Sequence, residues 1–286
     1  MRLPGARRLA ALSYRRRVFV LGMSAVAAAA ATTLGLAAGG VLSGPPPRGG
    51  SGRGVVVLVP GYGDGTAGID VLAAHVRTLH LTAEVVALPD HGTGDLGAQA
   101  AVLNGYVTRA LRTGASQVDV VGYSAGGVVT RLWDAYYRDA LQVRRVVTLG
   151  SPLNGTRIAA AGAGADPGAC PEACQELVPG SSLLTRLNTV ALGTRPGWLS
   201  LWTTDDQVVR PPGSARLAGA VNVPLQSVCP DLEVTHEELP SDSLVIGIVL
   251  RALGPGPLTA PPRADCDRLQ TVGSRPVRMP KPTKGK

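Results

Sequence analysis

The segment VDVVGYSAGGVV, residues 118–129, changes character at its centre. An apolar, β-branched run leads up to Gly122, and a second apolar run with helical spacing follows Gly127. Between the two runs a single hydroxyl, that of Ser124, stands among residues that have almost no side chain. This order predicts a strand, a tight turn and a helix, with Ser124 on the turn.

Residues 122–126 match the pattern G-x-S-x-G, in which a serine occupies a strained turn between a strand and a helix. Glycines beside the serine remove the Cβ atoms that would collide in such a turn, so the serine oxygen is left accessible. The N-terminus of the following helix favours negative charge at the same place. In a chain with 37 glycines the pattern alone is weak, and a plain glycine turn is the alternative. The flanking strand and helix favour Ser124 as a nucleophile.

An activated serine needs a base, and the base needs an acid that orients it. Where the serine lies on this kind of turn, the partners follow it in the order acid, then histidine. Only one of the four histidines follows Ser124 in the chain: His236, in VTHEELP, just before an apolar helix pattern. Its alternative is a structural or solvated histidine. The candidate acids are Asp205 and Asp206, which follow the strand pattern GWLSLWT at residues 197–203.

The glycine-rich segment VPGYGDG, residues 59–65, follows the first predicted strand. Two backbone N–H groups stabilise the oxyanion in serine hydrolases of this type: one from the residue after the nucleophile, and one from a loop near an early strand. They map to Ala125 and to the Tyr62 amide, because Gly61 and Gly63 let the backbone approach closely. A phosphate-binding loop is the alternative, but no P-loop lysine follows and the G-x-G-x-x-G spacing is absent.

The rest of the chain alternates apolar β-branched runs with longer helical patterns. The predicted strands are residues 55–60, 83–88, 117–123, 143–151, 197–203 and 220–228, and the predicted helices are residues 69–79, 96–111, 126–137 and 241–253. This alternation predicts an α/β fold with a mostly parallel sheet flanked by helices. Residues 155–192 are the least regular stretch, and we expect them to cover one end of the sheet.

The net charge of +8 is confined to the two ends of the chain. Residues 1–44 carry six arginines and no acid, residues 45–262 carry 15 arginines and 18 acids, and residues 263–286 carry seven basic residues and two acids. A protein that binds nucleic acid concentrates its basic residues on a folded face. The distribution therefore argues against nucleic acid as a partner.

Residues 1–44 have the composition of a targeting segment. A basic stretch precedes an uncharged apolar run at residues 18–42, and small residues gather towards its end, as a cleavable export signal requires. Residues 16–21, RRVFVL, also resemble the twin-arginine export pattern. A membrane anchor is the alternative, because about 20 apolar residues span a bilayer. The sequence favours an exported, extracellular protein.

Two further segments flank the predicted catalytic domain at residues 55–254. Residues 45–54 form a Pro/Gly-rich linker that joins this domain to the export segment. Residues 255–286 are rich in proline and basic residues, which predicts a partly disordered tail.

Four cysteines fit an exported chain, in which an even number indicates disulfides. Three pairings are open, and we expect Cys170 to pair with Cys174 and Cys229 with Cys266, the second bond joining the tail to the domain. A zinc site is the alternative, but no histidine lies near Cys170 or Cys174 at the spacing of a zinc ligand.

These segments together resemble the α/β-hydrolase lipases, specifically the small secreted bacterial triacylglycerol lipases and esterases of actinobacterial type. The resemblance runs from about residue 55 to residue 253 and rests on LVPGYGDGT, LPDHGTGDL, VDVVGYSAGGVVTRLW, VVTLGSPLNGT, TTDDQVVRP and VTHEELPSD. It implies an α/β-hydrolase fold with a minimal cap, and its D-x-x-V-x-P pattern selects Asp206 over Asp205 as the acid. Pro60 departs from the family, in which many members have a histidine before the oxyanion glycine.

The resemblance implies hydrolysis of lipid-type carboxylic esters through an acyl-enzyme. Ser124 attacks the ester, His236 moves the proton and Asp206 holds the imidazole, so neither a metal nor a cofactor is needed. A minimal cap implies an open, shallow cleft reached from solvent, so both a short-chain or medium-chain esterase and a long-chain lipase fit. We also expect a monomer that contacts lipid surfaces. The alternatives are acyl transfer to an alcohol on the same scaffold, and a non-catalytic hydrolase-fold binding protein.

Overall fold

The computed structural model describes residues 53–63, 66–137, 143–165, 168, 170–277 and 279. The predicted export segment at residues 1–44, most of the linker at residues 45–54 and the last residues of the tail lie outside this range. Among the helices that are described, none is long and apolar enough to cross a membrane.

Six parallel strands form a single sheet in the described part of the chain, in the order β2-β1-β3-β4-β5-β6. The strands are β1 (Val55–Val59), β2 (Thr82–Val85), β3 (Val118–Tyr123), β4 (Val143–Leu149), β5 (Gly197–Trp202) and β6 (Val221–Pro224). Every residue of β1 and β3 is buried, as expected for valine-rich strands that are covered on both faces. The predicted α/β class with a parallel sheet is confirmed.

Helices cover both faces of the sheet. They are α1 (Ala67–Arg77), α2 (Leu96–Arg112), α3 (Ala125–Tyr136), α4 (Arg157–Ala165), α5 (Glu172–Glu176), α6 (Ser182–Asn188), α7 (Ser243–Leu253) and α8 (Cys266–Gly273). One core cluster joins the sheet to α1, α7 and α8, and the other joins it to α2 and α3. Asp95 and Asp242 cap α2 and α7 by accepting hydrogen bonds from the backbone N–H groups of Ala98 and Val245.

The strand order places a crevice between β1 and β3. The chain leaves β1 towards β2 on one side and returns to β3 on the other, so the loops that follow β1 and β3 diverge at the carboxyl edge of the sheet. Open α/β sheets bind their ligands at such a switch point. Ser124 follows β3 directly, and residues 61–63 follow β1, so both lie at this crevice.

Within the predicted domain at residues 55–254, two segments differ from the sequence-based expectation. The strand predicted at residues 220–228 ends at Pro224, which has no N–H to continue a ladder, and a 3₁₀ turn (Leu225–Ser227) follows. Residues 155–192, expected to be irregular, contain the three short helices α4, α5 and α6. The third of these begins at a cap in which Ser181 accepts from the N–H of Leu184.

The folded domain extends beyond residue 254, into the segment expected as a partly disordered tail. Helix α8 lies against α7 at two glycines: a Cβ on Gly247 would collide with the carbonyl of Leu269, and one on Gly273 with the carbonyl of Ser243. Composition alone did not indicate this helix because its stability depends on tertiary contact with α7. The structure contains the two expected disulfides, Cys170–Cys174 and Cys229–Cys266, and the second joins α8 to the domain.

Candidate active site

Ser124 lies on a strained turn between β3 and α3. Its backbone has φ 52° and ψ −126°, in a region that non-glycine residues rarely adopt. A Cβ on Gly122 would lie 2.7 Å from the carbonyl oxygen of Gly126. A Cβ on Gly126 would collide with the carbonyls of Val59, at the end of β1, and of Pro60, which follows it. The turn therefore requires glycine at both positions, because backbone rather than movable side chain occupies the space.

The side chains of Ser124, His236 and Asp206 form one hydrogen-bonded chain. The Ser124 Oγ atom lies 2.9 Å from His236 Nε2, and His236 Nδ1 lies 2.8 Å from Asp206 Oδ2. The Asp206 side chain is fully buried and that of His236 nearly so. A buried carboxylate beside Nδ1 favours the tautomer with its proton on Nδ1, which leaves the Nε2 lone pair to accept from the serine hydroxyl.

Backbone N–H groups hold the carboxylate of Asp206. Its Oδ1 atom accepts from the N–H of Val208 at 2.9 Å and from that of Val209 at 2.7 Å, which leaves Oδ2 for the imidazole. The neighbouring Asp205 is exposed and accepts instead from Gln226 Nε2 at 3.2 Å. The structure therefore brings Asp206 to the histidine and leaves Asp205 at the surface.

Thr156 stabilises the turn that carries Asp206, which we call the acid turn. Its sequence context did not indicate this role. Its buried hydroxyl donates to the carbonyl of Val208 at 2.6 Å and accepts from the N–H of Arg210 at 3.0 Å. The two residues that it joins flank Val209, whose N–H group binds the Asp206 carboxylate. The pattern LGSPLNGT signals this segment, but only the fold brings it beside the acid.

Gly150 provides the space that the imidazole and the carboxylate occupy. Its φ is +52°, and a Cβ there would lie 3.2 Å from both Asp206 Oδ2 and His236 Nδ1 and would collide with Leu239. Both the backbone conformation and the close approach therefore favour glycine. The sequence contained this glycine within the lipase-like segment, without any signal for its role.

Tyr123 contacts the segment between β6 and α7 that carries His236, which we call the histidine loop. Its hydroxyl donates to the backbone carbonyl of His236 at 3.2 Å, and the two rings lie 5.3 Å apart between centroids. Burial raises the pKa of Tyr123 well above its ordinary value, and the negative charges of Asp206 and Glu237 act in the same direction. The phenol therefore stays protonated and remains a hydrogen-bond donor.

The loop after β1 lies directly against the nucleophile. A Cβ on Gly61 would lie 2.9 Å from the Cβ of Ser124, so this glycine admits the loop to the serine. The Gly63 N–H donates to the carbonyl of His91 at 2.8 Å, in a turn where Asp90 and His91 both have left-handed backbone angles. The side chain of Tyr62, the predicted oxyanion donor, is 42% exposed, so the contribution of this residue would come from its backbone.

The backbone N–H groups of Tyr62 and Ala125 do not bind any acceptor within the described residues. Ala125 is the first residue of α3, where the N–H groups have no partner inside the helix. Both N–H groups belong to residues adjacent in sequence to Gly61 and Ser124, which approach each other at the crevice between β1 and β3.

A cleft of about 410 Å³ opens in front of Ser124. Its lining residues come from the loop after β1, the start of α1, the nucleophile turn, the acid turn and the histidine loop: Gly61, Tyr62, Gly63, Ala67, Gly68, Tyr123, Ser124, Val208, His236, Glu237 and Pro240. Across the described part of the chain, no three His, Cys, Asp or Glu side chains are grouped so that they could hold a metal ion.

The parallel sheet and the strained serine turn define the α/β-hydrolase fold, as the resemblance implied. Residues 107–220, which include Ser124 and Asp206, match the family model described as Lipase (class 2). Among curated proteins, no sequence matches the chain significantly.

Solved lipase structures share the fold. Aspergillus fumigatus lipase B is similar with a TM-score of 0.61 and 18% identity, over 81% of this chain and 59% of that one. Mature Bacillus licheniformis lipase BlEst2 is similar with a TM-score of 0.52 and 17% identity, over 69% of this chain and 90% of that one. The chain thus spans about three fifths of the Aspergillus lipase, and at these identities the likeness shows the fold alone.

Proposed function

We propose that this chain is an exported serine hydrolase that cleaves lipid-type carboxylic esters through an acyl-enzyme. The observation that carries the proposal is the continuous chain of hydrogen bonds from Ser124 Oγ through His236 to Asp206. The match of residues 107–220 to a lipase family model supports an ester as substrate.

Acylation begins when Ser124 Oγ attacks the ester carbonyl carbon while His236 Nε2 takes the hydroxyl proton. Asp206 stabilises the imidazolium that forms and holds the ring in place. The tetrahedral intermediate then collapses: the bond from carbon to the alcohol oxygen breaks, and His236 returns the proton to the departing alcohol. The acyl group stays on Ser124 as an ester.

The N–H groups of Tyr62 and Ala125 are the proposed donors to the oxyanion of both tetrahedral intermediates. Their lack of other acceptors among the described residues supports this role. Each such donor contributes about 2.7–4 kcal/mol of transition-state stabilisation in serine hydrolases. The N-terminus of α3 favours the same negative charge.

Deacylation repeats the chemistry with water. His236 removes a proton from the water, the hydroxide adds to the acyl carbon, and the carboxylic acid leaves as Ser124 regains its proton. Acyl transfer to an alcohol would follow the same steps with an alcohol in place of water, so the two outcomes are separated by product analysis.

Two disulfides support an oxidising compartment as the place of action. Export by residues 1–44 fits this compartment and remains part of the proposal. N-terminal sequencing of the exported protein should return a mature chain that lacks Met1. An intact Met1 in the membrane fraction would instead assign residues 18–42 to an anchor.

A fluorophosphonate probe tests the nucleophile, and p-nitrophenyl esters of increasing chain length test the substrate class. We expect labelling and hydrolysis by the wild-type protein, and a loss of at least about 10⁴-fold in kcat for Ser124→Ala. The matched control is Ser182→Ala, an exposed serine on α6, which should retain both activities. Labelling that survives Ser124→Ala would contradict the assignment, and labelling without ester hydrolysis would restrict it to the nucleophile.

A further inference from the structure

Glu237 places a negative charge in the cleft beside the proposed catalytic base. It follows His236 directly in the chain and lines the same cleft as Ser124. Its side chain is exposed, and it makes no hydrogen bond or ion pair with any residue that the structure describes. A carboxylate without a protein partner, next to the reacting groups, is available to act on the substrate.

The proposed mechanism determines which part of the ester this carboxylate faces. The departing alcohol receives its proton from His236 Nε2, so the alcohol oxygen must lie within hydrogen-bonding distance of that atom. The alcohol portion of the ester therefore extends towards the part of the cleft that the His236 segment lines, and Glu237 is the next residue of that segment. The acyl portion remains bonded to Ser124 during this step.

The other described residues that line the cleft do not neutralise this charge. Among its described lining residues, Glu237 is the one carboxylate, and none of them is a lysine or an arginine. Arg210, on the acid turn, donates to the backbone carbonyl of Asp206 at 3.2 Å and does not line the cleft.

The start of α1 supplies the opposing electrostatic effect. Ala67 and Gly68, its first two residues, line the cleft, so the helix N-terminus contributes positive potential. A helix N-terminus is equivalent to about half an elementary charge, less than the full charge of a carboxylate. The negative charge of Glu237 therefore dominates on the alcohol side.

We propose that Glu237 makes this cleft selective for esters whose alcohol portion is neutral or cationic, and that it disfavours esters of anionic alcohols. This inference rests on the proposed ester hydrolysis. A carboxylate at a solvent-exposed position interacts with a substrate charge through a high effective dielectric, so the discrimination is moderate and decreases with salt.

Two phenyl acetates of opposite charge measure this selectivity. In (4-acetoxyphenyl)trimethylammonium and in 4-acetoxybenzoate, the acyl group is the same and the charge lies on the leaving phenol. Intrinsic reactivity cancels when the ratio of their kcat/KM values is compared between wild type and variant. Glu237→Gln keeps the shape of the side chain and removes its charge, and Glu237→Lys reverses the charge.

We expect Glu237→Gln to reduce the ratio of cationic to anionic kcat/KM about fivefold to tenfold, and Glu237→Lys to reduce it further. The shift should shrink between about 0.02 M and 0.5 M salt, as the Debye length falls. Glu233→Gln is the matched control, because this exposed acid on the same loop does not line the cleft, and its ratio should match wild type.

The outcomes separate this inference from the proposed function. A wild-type protein that hydrolyses both esters with a ratio that Glu237→Gln does not change overturns the charge selectivity and leaves the hydrolase assignment in place. An equal shift in Glu233→Gln also overturns it, because the effect would then come from net charge. A wild-type protein that hydrolyses neither ester and resists the fluorophosphonate probe contradicts the proposed function itself.

Discussion

The turn that carries Ser124 and the loop that carries His236 bring their side chains within 2.9 Å of each other by different physical means. The serine turn is short and is held by close backbone contacts at Gly122 and Gly126. The histidine loop runs from β6 to α7, largely in turns and extended segments, and depends on side-chain hydrogen bonds and one disulfide. Substitutions at the glycines of the turn should therefore destabilise the protein through steric collision. Substitutions in the loop should instead lower activity by degrees, as the His236 imidazole loses its orientation.

Several contacts hold the histidine loop. Tyr123 donates to the carbonyl of His236, and the Glu238 carboxylate accepts from both the N–H and the hydroxyl of Thr235. Asp242 caps α7, and the disulfide from Cys229 to Cys266 anchors the start of the loop to α8. Burial raises the pKa of Asp242, while the helix N–H groups that it accepts from oppose that shift.

The largest effect is expected at Asp206, whose carboxylate orients the imidazole of His236. Asp206→Asn should lower kcat for p-nitrophenyl butyrate about 10³-fold to 10⁴-fold, because the amide does not support the required tautomer of His236. Circular dichroism should show an unchanged fold. Asp205→Asn, one residue away and exposed, is the control and should remain close to wild type. Equal losses in the two variants would remove the distinction between these acids.

Removing the disulfide tests the covalent anchor of the loop. The double substitution Cys229→Ala with Cys266→Ala removes a crosslink with a sequence separation of 37. It should lower the unfolding free energy by about 4 kcal/mol, because the unfolded chain gains the entropy of the opened loop. Cys170→Ala with Cys174→Ala opens a separation of only 4 and should cost about 2 kcal/mol. Urea unfolding measures both. The reverse order of stability would show that loop entropy does not govern how much each disulfide stabilises the fold.

A pair of helical glycines tests the steric account of the serine turn. Gly126→Ala adds a Cβ that collides with the backbone carbonyls of Val59 and Pro60, and we expect it to lower the unfolding free energy by about 3 kcal/mol or more. Gly105→Ala on α2 meets nothing within 4 Å and should raise it by about 0.5–1 kcal/mol, through helix propensity. Thermal unfolding compares the two. A stable, active Gly126→Ala protein would contradict the steric account.

The smallest effect is expected at Tyr123, whose hydroxyl donates to the backbone of the histidine loop. Tyr123→Phe removes one hydrogen bond to the His236 carbonyl and should lower the unfolding free energy by about 1 kcal/mol. We expect a reduction of several-fold in kcat, with KM nearly unchanged, because the ring contact with His236 remains. Tyr136→Phe, at a tyrosine that is 59% exposed, is the control. A large rise in KM alone would assign Tyr123 to substrate binding instead.

Local patterns in the sequence predicted much of the framework. The valine-rich runs and the helical spacings located the strands and the four long helices to within a few residues, because burial on a parallel sheet demands continuous apolar strands. The pattern around Ser124 predicted its turn, because a strained turn between strand and helix tolerates few side chains. Chain order then singled out His236, which the structure places beside Ser124.

Local patterns were less informative where a residue acts through distant parts of the chain. Thr156 contacts the acid turn across more than fifty residues, and Gly150 matters because two side chains from other loops approach it. The choice of Asp206 over Asp205 came from a family pattern, and its physical cause is the pair of N–H groups at Val208 and Val209. Helix α8 was missed because the contacts that hold it are with α7.

By itself, the sequence determined the alternation of strands and helices, the turn at Ser124 and the set of polar groups available for chemistry. These follow from periodicity and from backbone sterics, which act between near neighbours. Only the tertiary structure decided which carboxylate meets the imidazole, which side chains hold the histidine loop and which charge faces the cleft. Those outcomes depend on contacts between segments that meet only when the sheet has formed and its loops converge at one edge.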